Sequence, residues 1–196
     1  MKKFIILFAF VLGLFGINAV HSEDKSREER KIAEIGKIVK LTSKQKSALI
    51  KGYKEYLTAL DSSVYLVNDA IQAVSIKYRA NKVFHELLMN TLKEKQRIEY
   101  IQITSAPEIE EKTNYKLSLL SESGDYSDKE LLKMKDEIFN YLMLEKVVYI
   151  RDKYNIRKQK ENISRLKNVE PRCLKESNIR EKQKGQGRLK KGNVQW

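Results

Sequence analysis

Through the middle of the chain, apolar residues recur every three or four positions, and the strict alternation that marks a strand is almost absent. Leu49, Tyr53, Tyr56 and Leu60 fall on one helical face, with Ala48, Ile50 and Leu57 beside it. Val67, Ile71, Val74 and Tyr78 form the next stripe, continued by Phe84, Leu87 and Leu88. Further on, Leu142, Tyr149, Ile156 and Ile163 repeat every seven residues. The pattern predicts helices over 42–61, 63–89, 92–103, 105–121 and 127–168. A short charged helix is expected within 23–40, with Ile32, Ile35 and Ile38 or Val39 on one side. The fold class is all-α: antiparallel helical hairpins in a small bundle or cradle over 41–168, one long C-terminal helix, and a flexible basic tail over 169–196.

Helix starts are written in the sequence as capping boxes, in which a Ser or Thr hydroxyl takes an amide of the first turn and a Glu or Gln three places on reaches back. Thr42-Ser-Lys-Gln45, Thr91-Leu-Lys-Glu94, Ser105-Ala-Pro-Glu108 and Ser127-Asp-Lys-Glu130 have that form. Pro107 is tolerated if it lies in a first turn, where its missing amide has no partner. Pro171 is expected to end regular structure. The rest, with Gly-Gln-Gly at 185–187, is polar, basic and short of apolar residues.

The first residues change the picture of where the chain acts. Lys2 and Lys3 precede the apolar run Phe4–Ile17, and Val20-His21-Ser22 then leads into an acidic stretch. That is the layout of a secretory signal, with cleavage after Ser22 and a cut after Ala19 as the competing site. The apolar run is shorter than the ~20 residues a helix needs to cross a bilayer. The expected location is the periplasm or cell envelope. Cys173 is the only cysteine, so no internal disulfide can form, and it reads as a bystander in a basic segment.

Charge is unevenly spread. Residues 23–150 hold 22 basic and 21 acidic side chains, whereas residues 151–191 hold 15 and 5. Almost the whole positive excess therefore lies at the end of the last helix and beyond it. Arg151, Lys153, Arg157, Lys158, Lys160, Arg165, Lys167, Arg172, Arg180, Lys182, Lys184, Arg188, Lys190 and Lys191 are the candidate polyanion-binding residues. Like charges so crowded gain from counterion release on meeting a polyanion. For an exported chain that means anionic lipid, lipopolysaccharide or acidic glycan rather than nucleic acid. Trp196 suits a membrane interface.

Leu41-Thr42-Ser43-Lys44-Gln45 carries an LTxxQ pattern, and Leu92-Lys93-Glu94-Lys95-Gln96 carries a second copy in which Lys93 stands where Thr is expected. The cap of that second copy would then come from Thr91. In these residues the chain resembles the LTxxQ exported helical proteins, the group containing the Spy and CpxP envelope-stress proteins, over about residues 41–103. The motif residues are Leu41, Thr42, Gln45, Leu92 and Gln96. The resemblance implies an all-α, cradle-like protein, monomer or homodimer, without a cofactor. It would act as a chaperone or stress adaptor on protein clients or an envelope partner.

Catalytic patterns are missing. With residues 1–22 removed, His85 is the one histidine, so no His pair or Cys–His set for zinc exists. No Glu-x-x-His pair, G-x-S-x-G turn or Gly-rich phosphate loop occurs. Glu108, Glu110 and Glu111 cluster, and Glu130, Glu137 and Glu145 recur, but a hydrolase would need two of them facing across a cleft. The chain is expected to be non-enzymatic, with no metal or cofactor. Tyr53, Tyr56, Tyr65, Tyr78, Tyr100, Tyr141 and Tyr149 fall mostly on the apolar stripes and are expected in the core or between helices.

Overall fold

The structure, a computed structural model, describes residues 25–122 and 124–191, with side chains to residue 185. The signal-like residues 1–22 and Trp196 lie outside the described residues, as do the side chains of Arg188, Lys190 and Lys191. The protein is all-α: seven helices and no strand among the described residues. It divides into two compact units between Thr91 and Leu92, where the sequence reading had one helical domain over 41–168.

The first unit contains α1 (Arg27–Ile38), α2 (Ser43–Tyr65) and α3 (Ala70–Thr91). A capping box opens α1, with Ser26 and Glu29 bonding reciprocally. Its S-x-x-E pattern stands apart from the four boxes named above. Ile32, Ile35 and Val39 are buried as the pattern required, and α1 packs on α2. The α2–α3 pair forms the main hairpin. Gly52 makes their approach close: a Cβ there would lie 1.9 Å from Leu87 Cδ2.

The second unit contains α4 (Glu94–Ser121), α5 (Asp128–Arg151), α6 (Ile156–Lys167) and α7 (Arg172–Lys191). Three sequence expectations are corrected here. Helices 92–103 and 105–121 are one helix, with Pro107 inside α4. The proline withholds an amide from the Ile103 carbonyl, yet Ile101, Ser105, Ile109 and Thr113 are all buried, so a stripe spaced by four runs straight through it. Packing along that stripe outweighs one missing hydrogen bond. Ser105 is accordingly a mid-helix residue and caps nothing.

The single helix 127–168 is in fact two, parted at Asp152–Asn155. Asp152 is 4% exposed and accepts Arg151 Nη2 at 2.7 Å and Asn162 Nδ2 at 2.8 Å. Asn155 then caps α6 through the Lys158 amide at 3.1 Å. Finally, Pro171 ends nothing. Its carbonyl accepts the Lys175 amide at 3.1 Å as α7 begins, and a proline in an opening turn has no amide to lose from the ladder.

α7 packs on α4 and α5. Leu120, Ile138, Tyr141, Cys173 and Leu174 form the core of this unit. Cys173 is thus an interior residue. Burial, with Glu137 beside it, pushes its thiol pKa up, so it stays protonated. Lys116 Nζ, donating to Asn178 at 2.6 Å and Glu181 at 2.5 Å, pins the outer part of α7 to α4.

Candidate functional site

The two motif copies do the same local work with unequal success. Leu41 and Leu92 are both buried, at 8% and 2% exposure. At the first copy the capping box is complete: the Gln45 amide donates to Thr42 Oγ1 at 3.2 Å, and the Thr42 amide donates to Gln45 Oε1 at 2.9 Å. Gln45 Nε2 also donates to the Thr91 carbonyl at 2.8 Å, tying the start of α2 to the end of α3. At the second copy Lys93 occupies the cap position, and its ammonium can accept nothing. Gln96 Oε1 still takes the Lys93 amide at 2.9 Å. The expectation that Thr91 caps this helix is overturned, because Thr91 is the last residue of α3.

The hairpin so closed leaves an apolar face open. Ile71, Val74 and Tyr78 are 81%, 65% and 58% exposed. At helical spacing they lie on the side of α3 opposite Ala80, which is buried. Ile71, Val74 and Tyr78, expected in the core, are therefore surface, whereas Leu88 from the continuation of that stripe is buried with Ala80 and Met89. At the hairpin turn Val64, Tyr65 and Leu66 are also exposed.

On the other side of that helix, between α2 and α3, lies a cleft of about 310 Å³ lined by Tyr56, Ala59, Ile76, Ala80, Val83 and Phe84, with Gly52, Glu55 and Arg79 completing it. Its aromatic end is ordered. Tyr53 and Phe84 have ring centroids 5.1 Å apart, Tyr56 and Phe84 5.6 Å, and Tyr53 and Tyr56 5.5 Å. Tyr56 also donates to Asn81 at 3.4 Å. An apolar cleft with one carboxylate and one guanidinium can take up an apolar side chain and orient its backbone. Of the tyrosines expected inside, Tyr141 is buried, Tyr53, Tyr56 and Tyr100 are partly covered, and Tyr65, Tyr78 and Tyr149 are exposed. Periodicity marked those positions as apolar faces; it did not say which faces would find a partner.

The cationic residues do not act as one block. Arg151 and Lys158 are drawn to Asp152, Arg165 pairs with Glu161, Arg180 pairs with Glu176 and Asp125, and Lys184 with Glu122. Lys153, Arg157, Lys160, Lys167, Arg172 and Lys182 are exposed and form no ion pair with the described residues.

The carboxylates are similarly accounted for. Glu108 bridges Lys112 at 2.7 Å and Lys146 at 2.6 Å, and these hydrogen bonds lower its pKa to about 2. Glu110 faces Lys135 at 3.7 Å. Glu130 caps α5. Glu145 is pushed up by burial and by Glu170 nearby. No group of three metal-ligating side chains occurs among the described residues. No helix among them is long and apolar enough to cross a membrane. Comparison with protein-family models, with curated proteins and with solved structures finds no match to this chain.

Proposed function

We propose that the chain is an exported, non-enzymatic binding protein whose α2–α3 hairpin holds apolar polypeptide segments, in the manner of a chaperone or stress adaptor. The observation that carries this reading is the outward stripe Ile71, Val74 and Tyr78 on α3, which is exposed along its length. Covering one such side chain fully is worth about 1.5–3 kcal/mol, so a client segment touching two or three of them recovers a useful affinity without a deep pocket. Contiguous apolar surface of this kind marks a docking face more often than it decorates a monomer. The sequence resemblance at Leu41, Thr42, Gln45, Leu92 and Gln96 points the same way, and the signal-like pattern of residues 1–22 is the ground for proposing export.

The test is suppression of aggregation of a denatured client by residues 23–196. Suppression at a few-fold excess is expected, and Ile71→Glu together with Tyr78→Glu should abolish it while the helical circular dichroism is kept. A chain that fails to protect any client, or a double variant that protects as well as wild type, ends this reading.

A further inference from the structure

The second unit carries a groove of different chemistry. α6 returns beside the end of α5, and the space between them, about 240 Å³, is lined by Tyr149, Gln159, Lys160, Ile163, Ser164 and Lys167. The groove is preformed. Gln159 Nε2 donates to the Tyr149 carbonyl at 3.3 Å, and the buried Asp152 carboxylate holds Arg151 on one helix and Asn162 on the other. These contacts fix the turn that sets α6 against α5.

The same contacts sort the charges. Arg151 and Lys158 are taken up by Asp152, and Arg165 by Glu161. Lys160 and Lys167 have no carboxylate within ion-pair distance among the described residues. Glu145 and Glu170 are the acids near Lys167, and the lysine's field partly offsets the upward push of burial on Glu145. The two lysines are seven residues apart, hence on one face and about 10 Å apart along the helix. Apolar surface lies alongside: Ile156 is 62% exposed and Tyr149 44%.

From this combination we infer that the α5–α6 groove is a docking site for an anionic lipid surface, with Lys160 and Lys167 on two neighbouring phosphate headgroups and Tyr149 and Ile156 at the apolar boundary. Charge complementarity selects the anion. The lysine spacing suits two adjacent headgroups rather than one small ion, and exposed apolar side chains beside the cations suit a bilayer interface rather than a soluble glycan. The site belongs to the second unit, so it stands or falls apart from the client-holding hairpin.

Sedimentation of residues 23–196, which contain every described helix, with phosphatidylcholine vesicles with and without phosphatidylglycerol tests it. Binding is expected only when phosphatidylglycerol is present, and it should weaken as salt rises. Lys160→Glu with Lys167→Glu should lower the bound fraction about tenfold. Lys129→Glu with Lys133→Glu makes the same charge change on exposed α5 positions and should stay within about twofold of wild type. The neutral pair Lys160→Gln with Lys167→Gln should fall between them, which guards against a fold lost to charge reversal. Absence of vesicle binding overturns the proposal, as does an equal loss in both glutamate pairs. So does displacement from vesicles by millimolar inorganic phosphate, or a preference for soluble dextran sulfate over vesicles.

Discussion

The two hairpins start from nearly the same five residues and end as different surfaces. In the α2–α3 hairpin the outward side of α3 shows Ile71, Val74 and Tyr78 to solvent. In the α4–α5 hairpin a further helix, α7, lies across the pair and buries Cys173, Leu174 and Ser177 against it. Leu120 and Ile138 are then fully enclosed. A helical hairpin has more apolar surface than its own two helices can cover. What a third helix does with the remainder decides whether it becomes core or contact face.

The sharpest way to break this comparison is to shorten side chains on either side of it. Leu120→Ala or Ile138→Ala should cost about 2–5 kcal/mol, because each removes a filled volume from an enclosed core. Val74→Ala and Ile71→Ala should fall within about 0.5 kcal/mol of wild type. Urea denaturation followed by circular dichroism reads both. Comparable losses at the two sets would mean that the α3 stripe is covered after all.

Next in size is the turn that divides α5 from α6. Asp152→Asn removes the charge from a buried carboxylate holding Arg151, and should cost about 1–3 kcal/mol at neutral pH. Burial penalises the Asp152 carboxylate, but hydrogen bonds from Arg151 and Asn162 outweigh it, and its pKa lies below the ordinary 3.8. A carboxylate lowered by folding contributes stability that is complete above its unfolded value and is lost as pH falls through its folded one. The gap between wild type and Asp152→Asn should therefore be full above about pH 5 and close as pH drops below 3.8. A gap that is constant down to strong acid would remove the ion pair from the account.

Smaller effects sharpen the contrast between the motif copies. Thr42→Ala should lose about 1 kcal/mol with its cap, whereas Lys93→Ala should be close to neutral and Lys93→Thr should gain a few tenths up to about 1 kcal/mol. Equal losses at Thr42 and Lys93 would contradict the unequal caps. The smallest effect is expected at Glu108. Its pKa is lowered from 4.5 to about 2, but the side chain is 45% exposed. Solvent screening leaves about 0.5 kcal/mol or less, present above pH 4.5 and lost as pH falls toward 2. Glu108→Gln should match wild type in acid and differ slightly at neutral pH.

Much of this was legible in the residues. The caps at Thr42 and Ser127 stand where the S/T-x-x-E/Q pattern put them, because the hydrogen bonds involved join residues only three apart. The α1 stripe is likewise local, and Ile32 and Ile35 are buried. Two further capping boxes were misread. Thr91 closes one helix rather than opening the next, and Ser105 sits on a buried stripe that carries α4 past Pro107. At Ser105 packing along the buried stripe outranked a pattern of four residues. The α3 stripe and the lysine groove could not be located beforehand, since each depends on which helix lies next to it.

The sequence by itself determined an all-helical chain, the capped starts of α2 and α5 and the concentration of cations after residue 150, because periodicity, capping and charge are properties of neighbours along the chain. Only the tertiary structure decided that the basic extension would become α7 with Cys173 and Leu174 inside, and that Arg151, Lys158, Arg165, Arg180 and Lys184 would be paired with carboxylates at home. It also decided that Ile71, Val74 and Tyr78 on α3 would stay exposed. An amphipathic pattern says that a face is sticky, and burial requires a second surface brought from elsewhere in the chain to meet it.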